Sequence, residues 1–463
     1  MSHEHRGANA SDEICINPLF ARHSEQSIPR WRMPDDEMLP ETAYQIIHDE
    51  LFLDGNARQN LATFVTTWME PEATQLYLEA FDKNMIDKDE YPQTAAIEER
   101  CLHVLADLWN APDPHAAIGT SAIGSSEACM LAGLAFKRRW QLARRAAGKA
   151  TDAPNIVFSS AVQVVWEKFA NYFEVEPRYV PVTKERPHLT AEGMLAAVDE
   201  NTIGVVPILG VTYNGVYEPV KELADALDDL QARTGLDIPL HVDAASGGFI
   251  APFLDPHLEW DFRVPRVHSI SASGHKFGLV YPGLGWVVWA SRDYLPEELI
   301  FDVSYLGGSM PTLALNFSRP GAQVLLQYYN FLRLGREGYR RVMQASKDAA
   351  RYLAAELAQL DHFEVLTDGS DMPLVTWTTD GRDRVWDLYD LSAKLRERGS
   401  LVPAYPMPAD IQDVTVMRVV FRNGVSLDLT RLLLDDIVAS LQFLDALPSG
   451  RPPTVAQPIP FHH

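Results

Sequence analysis

SISASGHKFG, residues 269–278, closes a run that begins at Val267 and reads as a strand, Val267–Ser271, running into Ser-Gly-His-Lys. The spacing puts Lys276 just beyond the end of that strand. Open α/β sheets bind their ligands at this carboxyl edge. A lysine there can form a Schiff base only through an unprotonated amine, and partial burial supplies one by disfavouring the ammonium form. Taken alone, the stretch is equally compatible with a solvated loop lysine.

Upstream, HVDAASGGF (residues 241–249) ends another apolar strand on Asp243, with Ala244, Ala245, Ser246 and Gly247 behind it. A pyridoxal ring acts as an electron sink only while its nitrogen is protonated, and a buried carboxylate keeps the proton there. The small residues leave room for a flat ring. The ordinary alternative for Asp243 is a helix N-cap. Further upstream, GTSAIGSSEACMLAGLAFKRRW (residues 119–140) places Gly124, Ser125 and Ser126 directly before a helical pattern. Free N–H groups and hydroxyls at a helix N-terminus suit a phosphate. By itself Gly-Ser-Ser is a common cap; beside Asp243 and Lys276 it completes a cofactor constellation.

Outward from these motifs, strand-like runs at Asn155–Phe158, Gly204–Leu209, Pro239–Val242, Val267–Ser271 and Gly285–Trp289 alternate with helical segments. One such helix lies within Pro219–Gly235, with Val220, Leu223, Leu227 and Leu230 on one stripe and Gly235 as C-cap. The alternation predicts an α/β fold with a large, mainly parallel sheet. Residues 321–358 read as one long helix. Beyond it, strands at Phe363–Leu366, Leu374–Trp377 and Thr415–Phe421 and helices near Tyr389–Arg398 and Asp428–Leu444 predict a small α+β domain. The expected organisation is an N-terminal arm (1–58), a large domain (59–345), a small C-terminal domain (346–452) and a flexible tail (453–463).

Composition narrows the class of function. The 463 residues carry 46% hydrophobic and 22% charged side chains, an ordinary globular balance. A net charge of −23 argues against a nucleic-acid partner, which needs a basic face. The three cysteines, Cys15, Cys101 and Cys129, form no CxxC pair and read as reduced thiols. No signal peptide and no apolar run long enough for a membrane span is visible, so a cytoplasmic location is expected. None of the 14 histidines has metal-ligand spacing such as HExxH, and no metal is expected.

The order GSSEACM, HVDAASGGF, SGHKFG, YLGGSMPTLALNFSRP resembles the glutamate decarboxylases, a branch of the fold-type I pyridoxal-phosphate enzymes. DELFLDGNARQNLATF (residues 49–64) and VMRVVFRNG (residues 416–424) resemble them too. The likeness runs from about residue 40 to 445 and is nearest to the bacterial form. It implies a seven-stranded large domain and pyridoxal 5'-phosphate as cofactor. It also implies α-decarboxylation of L-glutamate to 4-aminobutanoate and CO2, with a contribution to acid resistance through the proton consumed. Lys276 would carry the cofactor and Asp243 face its ring nitrogen. Ser125, Ser126 and His275 would hold the phosphate with Ser273 close by, Gln163 would stack on the ring over Ala245, and Thr212 would lie beside it. Thr63, Phe64, Asn84 and Asp87 would surround the substrate side chain, and Arg422 would stand near the mouth of the site. Phe317 and Ser318 would reach into a neighbouring subunit, making a dimer the minimal unit and a hexamer compatible. His462, in the terminal PIPFHH, would enter the site and block it at neutral pH.

Two departures mark this chain. The segment before GSSE is shorter than in bacterial members, and SMPTLAL replaces a more Gly-rich loop. The tail has one arginine after Ser449 and no amphipathic period, so the calmodulin binding of plant members is not expected. Asp87 would either share a proton with the substrate's distal carboxylate, favouring acidic pH, or merely cap a helix or pair with Lys88. His241 reads as a packing residue. The competing functions are another decarboxylase or transaminase of the same fold, and a non-catalytic oligomeric scaffold.

Overall fold

The computed structural model describes residues 31–303 and 310–448. The chain divides into two units, Met1–Ala57 and Arg58–His463. In the first, Pro40–Glu50 form a helix that runs into a 3-10 turn at Leu51–Leu53.

The second unit is built on a seven-stranded sheet of β1 (Ile118–Ala122), β2 (Asn155–Ser159), β3 (Glu176–Val180), β4 (Thr202–Val205), β5 (Leu240–Asp243), β6 (Val267–Ala272) and β7 (Gly285–Trp289). Its order is β1-β7-β6-β5-β4-β2-β3, and only β7 runs against the rest. β2, β4, β5, β6 and β7 are buried along their whole length. Strands covered on both faces are usually near-continuously apolar, as β7 is, whereas β5 and β6 also bury His241, Asp243, His268, Ser269 and Ser271. Helices α1 (Pro71–Ala80), α2 (Pro92–Leu108), α3 (Ser125–Ala146), α4 (Val164–Tyr172), α5 (Ala191–Ala197) and α6 (Val220–Thr234) pack in the same unit. In α6 the expected stripe of Val220, Leu223 and Leu227 is buried, and Gly235 ends the helix at φ 77°. Phe301–Val303 (β8) and Met310–Thr312 (β9) form a two-stranded ribbon.

Register fixes what lies at the carboxyl edge. Ala122 of β1 pairs with Gly285, Ala272 of β6 with Trp286, and Asp243 of β5 with Ser271. β1, β5 and β6 point the same way, so the Gly124, Asp243 and Lys276 segments leave the sheet together. A Cβ on Gly285 would lie 2.3 Å from the Gly124 carbonyl carbon, so only glycine allows this approach.

The long helix α7 (Ala322–Leu357) is broken inside at Gly335, whose backbone (φ 56°, ψ −173°) is not helical. Its second half packs under a four-stranded antiparallel sheet, β10 (Phe363–Asp368), β11 (Leu374–Thr379), β13 (Thr415–Val420) and β12 (Ala404–Pro406). Leu353 and Leu357 share that core with Leu391 of α8 (Leu388–Glu397) and Ile437 of α9 (Leu427–Asp445). Each fully buried leucine there contributes about 1.5–3 kcal/mol.

One of the runs read as a strand is cut short. Gly204–Leu209 yields β4 only up to Val205; Ile208 and Leu209 make isolated bridges. Pro207 stands between and has no N–H to extend the ladder.

Candidate active site

At the carboxyl edge lies a cavity of about 170 Å³ lined by Gly124, Ser125, Ser126, Gln163, Thr212, Asp243, Ala245, His275 and Lys276, among others. The three motifs that are distant in sequence therefore meet. A larger hollow, about 780 Å³, opens between Tyr217–Glu222 and Leu254–Trp260, away from all of these residues.

Lys276 Nζ donates to Ser246 Oγ at 3.3 Å and stands 5.3 Å from the Phe64 ring centre. Burial holds its amine below the usual lysine range; Asp243 and Cys129 work against that, and Arg418 adds to it. Asp243 is 3% exposed. Its Oδ2 accepts Trp166 Nε1–H at 2.9 Å and its Oδ1 accepts the Ala245 N–H at 3.1 Å. N–H donors thus hold both oxygens of this buried carboxylate in place.

His275 Nδ1 accepts the Leu284 N–H at 3.1 Å, which leaves Nε2 as the protonated nitrogen of a neutral ring. Burial, with Lys276 second, pushes its pKa down to about 4, so the ring is neutral at physiological pH. The His275 ring lies against Gly124: a Cβ there would be 3.0 Å from His275 Cε1. Gly124 caps α3 with no side-chain hydrogen bond, so the first-turn N–H groups remain for another acceptor. Ser273 Oγ is buried without a hydrogen-bond partner among the described residues. Gln163 is the N-cap of α4, its side chain accepting the Val165 N–H at 2.6 Å. Thr212 gives its carbonyl to Arg418.

Phe64 is buried between Lys276 and Arg418, with Arg418 Cζ 4.6 Å from its ring centre. Thr63 Oγ1 accepts the Val65 N–H at 3.1 Å. Asn84 and Ser318 meet elsewhere: Asn84 Nδ2 donates to Ser318 Oγ at 3.3 Å, and Asn84 Oδ1 accepts the Arg319 N–H at 3.2 Å. Neither lines the cavity, and Phe317 beside them is 43% exposed. The carbonyl of Asp87 accepts the Tyr91 N–H at 2.9 Å, while Lys88 Nζ donates to the Pro311 carbonyl at 2.8 Å. Arg422 is buried and donates to Thr67 Oγ1 at 3.2 Å. His462 lies outside the described residues.

Two residues at the site escaped the sequence reading. Trp166 sits in an ordinary amphipathic helix, and nothing in QVVWEKF separates a tryptophan that holds a carboxylate from one that fills a core. Arg418 did leave a signal, a charged residue within the apolar strand VMRVV. It is 8% exposed, donates to the Thr212 and Ala62 carbonyls, and keeps a buried Nε with no hydrogen-bond partner among the described residues.

An amine with a lowered pKa, a buried carboxylate, and an anion cradle of helix N-terminus, hydroxyls and imidazole N–H match a phosphorylated, basic aromatic aldehyde. Comparison with known proteins agrees. Residues 34–379 match the model of the pyridoxal-dependent decarboxylase conserved domain. The chain is 54% identical over 419 residues to a glutamate decarboxylase of Aliivibrio fischeri, covering 90% of each. It is 49% identical over 443 residues to one from Petunia hybrida, covering 95% of this chain and 88% of that one. The solved Lactobacillus brevis glutamate decarboxylase superposes with a TM-score of 0.90 at 44% identity, over 92% of this chain and 98% of that one. With the match spanning both the cavity and the sheet that forms it, the chain belongs to the pyridoxal-dependent decarboxylase family.

Proposed function

We propose that this chain removes the α-carboxylate of L-glutamate, giving 4-aminobutanoate and CO2 with uptake of one proton. The observation that carries the chemistry is the Lys276 amine, its pKa lowered by burial, in one cavity with Asp243. The observation that carries the substrate is the 54% identity to a glutamate decarboxylase over nine-tenths of the chain.

When bound, pyridoxal phosphate supplies the electron sink for the pair left as CO2 departs. The residues do the rest. Lys276 Nζ would hold the cofactor through its carbonyl carbon. Asp243, held in place by Trp166 and Ala245, would face the ring nitrogen and keep a proton there. Ser125, Ser126, the α3 N-terminus and His275 Nε2–H bind the phosphate, with Ser273 behind them. Gln163 and Ala245 confine the ring, and Thr212 borders it. Arg418, a guanidinium beside both Lys276 and Phe64, binds a carboxylate of the substrate. Phe64 keeps water from the reacting carbon. Lys276 Nζ, once it has taken up the proton that the reaction consumes, would deliver it to that carbon; His275, neutral down to about pH 4, is the poorer acid.

Thr63 and Phe64 would meet the substrate side chain from this chain. Asn84, Asp87, Phe317 and Ser318 would serve the site of a second copy, and the exposed Phe317 supports a dimer. Arg422 would act through Thr67 rather than on substrate. His462 would close the site at neutral pH; truncation after Val455 should then extend activity to higher pH, and superimposable profiles would refute that role.

The test is product profiling of purified protein with added cofactor on L-glutamate, L-aspartate and L-tyrosine. Glutamate should give 4-aminobutanoate, with far less product from aspartate, whose carboxylate is one methylene short of its donors. Equal rates on aspartate, or faster turnover of tyrosine, would refute the substrate assignment.

A further inference from the structure

The loop that carries Lys276 is held from below by three polar side chains of the long helix, all buried. Gln327 Nε2 donates to the Gly278 carbonyl at 3.1 Å, Tyr339 Oη donates to the same oxygen at 3.0 Å, and Asn330 Nδ2 reaches it at 3.3 Å. Asn330 Nδ2 also donates to the Leu279 carbonyl at 2.8 Å, and Gln327 Nε2 to Tyr339 Oη at 3.1 Å. Gln327 Oε1 accepts Trp286 Nε1–H at 3.3 Å. Gln327, Asn330 and Tyr339 are 0%, 6% and 1% exposed. Polar groups this deep stabilise a fold only when fully partnered, so their convergence on one carbonyl is a specific arrangement.

Two features say what it fixes. Leu279, three residues after Lys276, sits at φ 64°, a conformation that L residues with side chains adopt only when their surroundings hold them there. The loop also lies so close to Gln327 that a Cβ on Gly274 would be 2.6 Å, and one on Gly278 2.9 Å, from Gln327 Oε1. The break at Gly335 lets both halves of the helix aim at the same oxygen, Gln327 and Asn330 from one side and Tyr339 from the other. On the opposite face, Thr66 N–H donates to the His275 carbonyl at 2.7 Å and Thr66 Oγ1 to the Lys276 carbonyl at 2.6 Å.

We propose that Gln327, Asn330 and Tyr339 are positioning residues for the reaction: by fixing the Gly278 carbonyl and the left-handed turn at Leu279, they set where the Lys276 side chain leaves its loop. The proposal rests on Lys276 being the amine that carries the cofactor. Loss of one donor frees the turn to relax, and the amine moves relative to Asp243 and the anion cradle without any change in what lines the cavity.

The test uses the holoenzyme of Tyr339→Phe, which keeps the ring and its stacking on Phe253, and of Gln327→Met, which keeps the volume. Leu353→Ala, on the same helix but in the core of the small sheet, serves as the destabilised control. kcat, KM, thermal unfolding and the visible circular dichroism of the bound cofactor are measured for each. Both loop variants should lose roughly tenfold to a hundredfold in kcat with KM within about threefold, because the misplaced group acts on the reaction step. Their visible dichroism per bound cofactor should also weaken, whereas Leu353→Ala should lower only the melting temperature. Loop variants that behave as Leu353→Ala does would overturn the positioning role. Tyr339→Phe alone decides if Gln327→Met does not fold. Lys276→Ala is run alongside: retained turnover there would overturn the Lys276 reading itself, a failure distinct from that of the cluster.

Discussion

Trp166 Nε1–H donates to Asp243 Oδ2 at 2.9 Å, and both residues are buried. Because α4 also presents Gln163 to the cavity, one short helix supplies both a wall of the site and a hydrogen bond to its key carboxylate. Trp166→Phe removes the donor and little volume. A hydrogen bond to a charged group is worth about 1.5–3 kcal/mol, so kcat or cofactor affinity should fall roughly tenfold to a hundredfold. Steady-state kinetics and cofactor titration of the variant check this; wild-type values would make Trp166 a packing residue.

Asp243→Asn keeps the shape and loses the charge. Without it the ring nitrogen has nothing to retain its proton, and the rate should drop by several factors of ten, at about 1.4 kcal/mol each. Less than about a tenfold loss with cofactor still bound would assign Asp243 a structural role.

Three buried histidines predict how stability depends on pH. Burial pushes the pKa of His241 and of His268 down to about 3 and that of His275 to about 4, against 6.5 when unfolded. The unfolded chain therefore binds more protons in this window, and their contribution, fully present above about pH 6.5, is lost as pH falls. Each histidine should cost roughly 2 kcal/mol between about pH 6.5 and about pH 5. Urea unfolding at both values checks the slope, and His241→Gln, which can still bond Ser269 or Ser271, should make it shallower. An unchanged slope would contradict the assignment.

Glu98 and Arg319 form a buried pair at 2.9 Å. Glu98 also accepts from Ser121 N–H at 2.9 Å, tying the Phe317–Ser318 segment to β1. Removing one partner strands a buried charge, so Glu98→Ala should cost about 3–5 kcal/mol. Denaturant unfolding measures it, and a cost below about 1 kcal/mol would show that solvent reaches the pair.

The parts of this protein that sequence made legible are those where chemistry and local pattern coincide. Lys276 and Asp243 stand at the ends of strands that short apolar runs announce, Gly124–Ser126 open a helical pattern, and the shared direction of β1, β5 and β6 brings them to one edge. β3 was hidden because it is an edge strand: Glu-Pro-Arg-Tyr-Val is mostly exposed and carries no apolar alternation. β1, Ile-Gly-Thr-Ser-Ala, is polar because Glu98 satisfies Thr120 and Ser121 from within the fold. The break at Gly335 was invisible in a helix-rich stretch, since a helix tolerates a lone glycine. Arg418 and Trp166 act through tertiary contacts with residues far away in sequence, which no local pattern encodes.

Borohydride reduction of the holoenzyme followed by peptide mapping reads out which lysine carries the cofactor. The reduced cofactor is expected on the peptide containing Ser273–Gly278, with Lys276 modified and Lys276→Ala unlabelled. Label on another lysine, such as Lys88 or Lys347, or full labelling of Lys276→Ala, would contradict it.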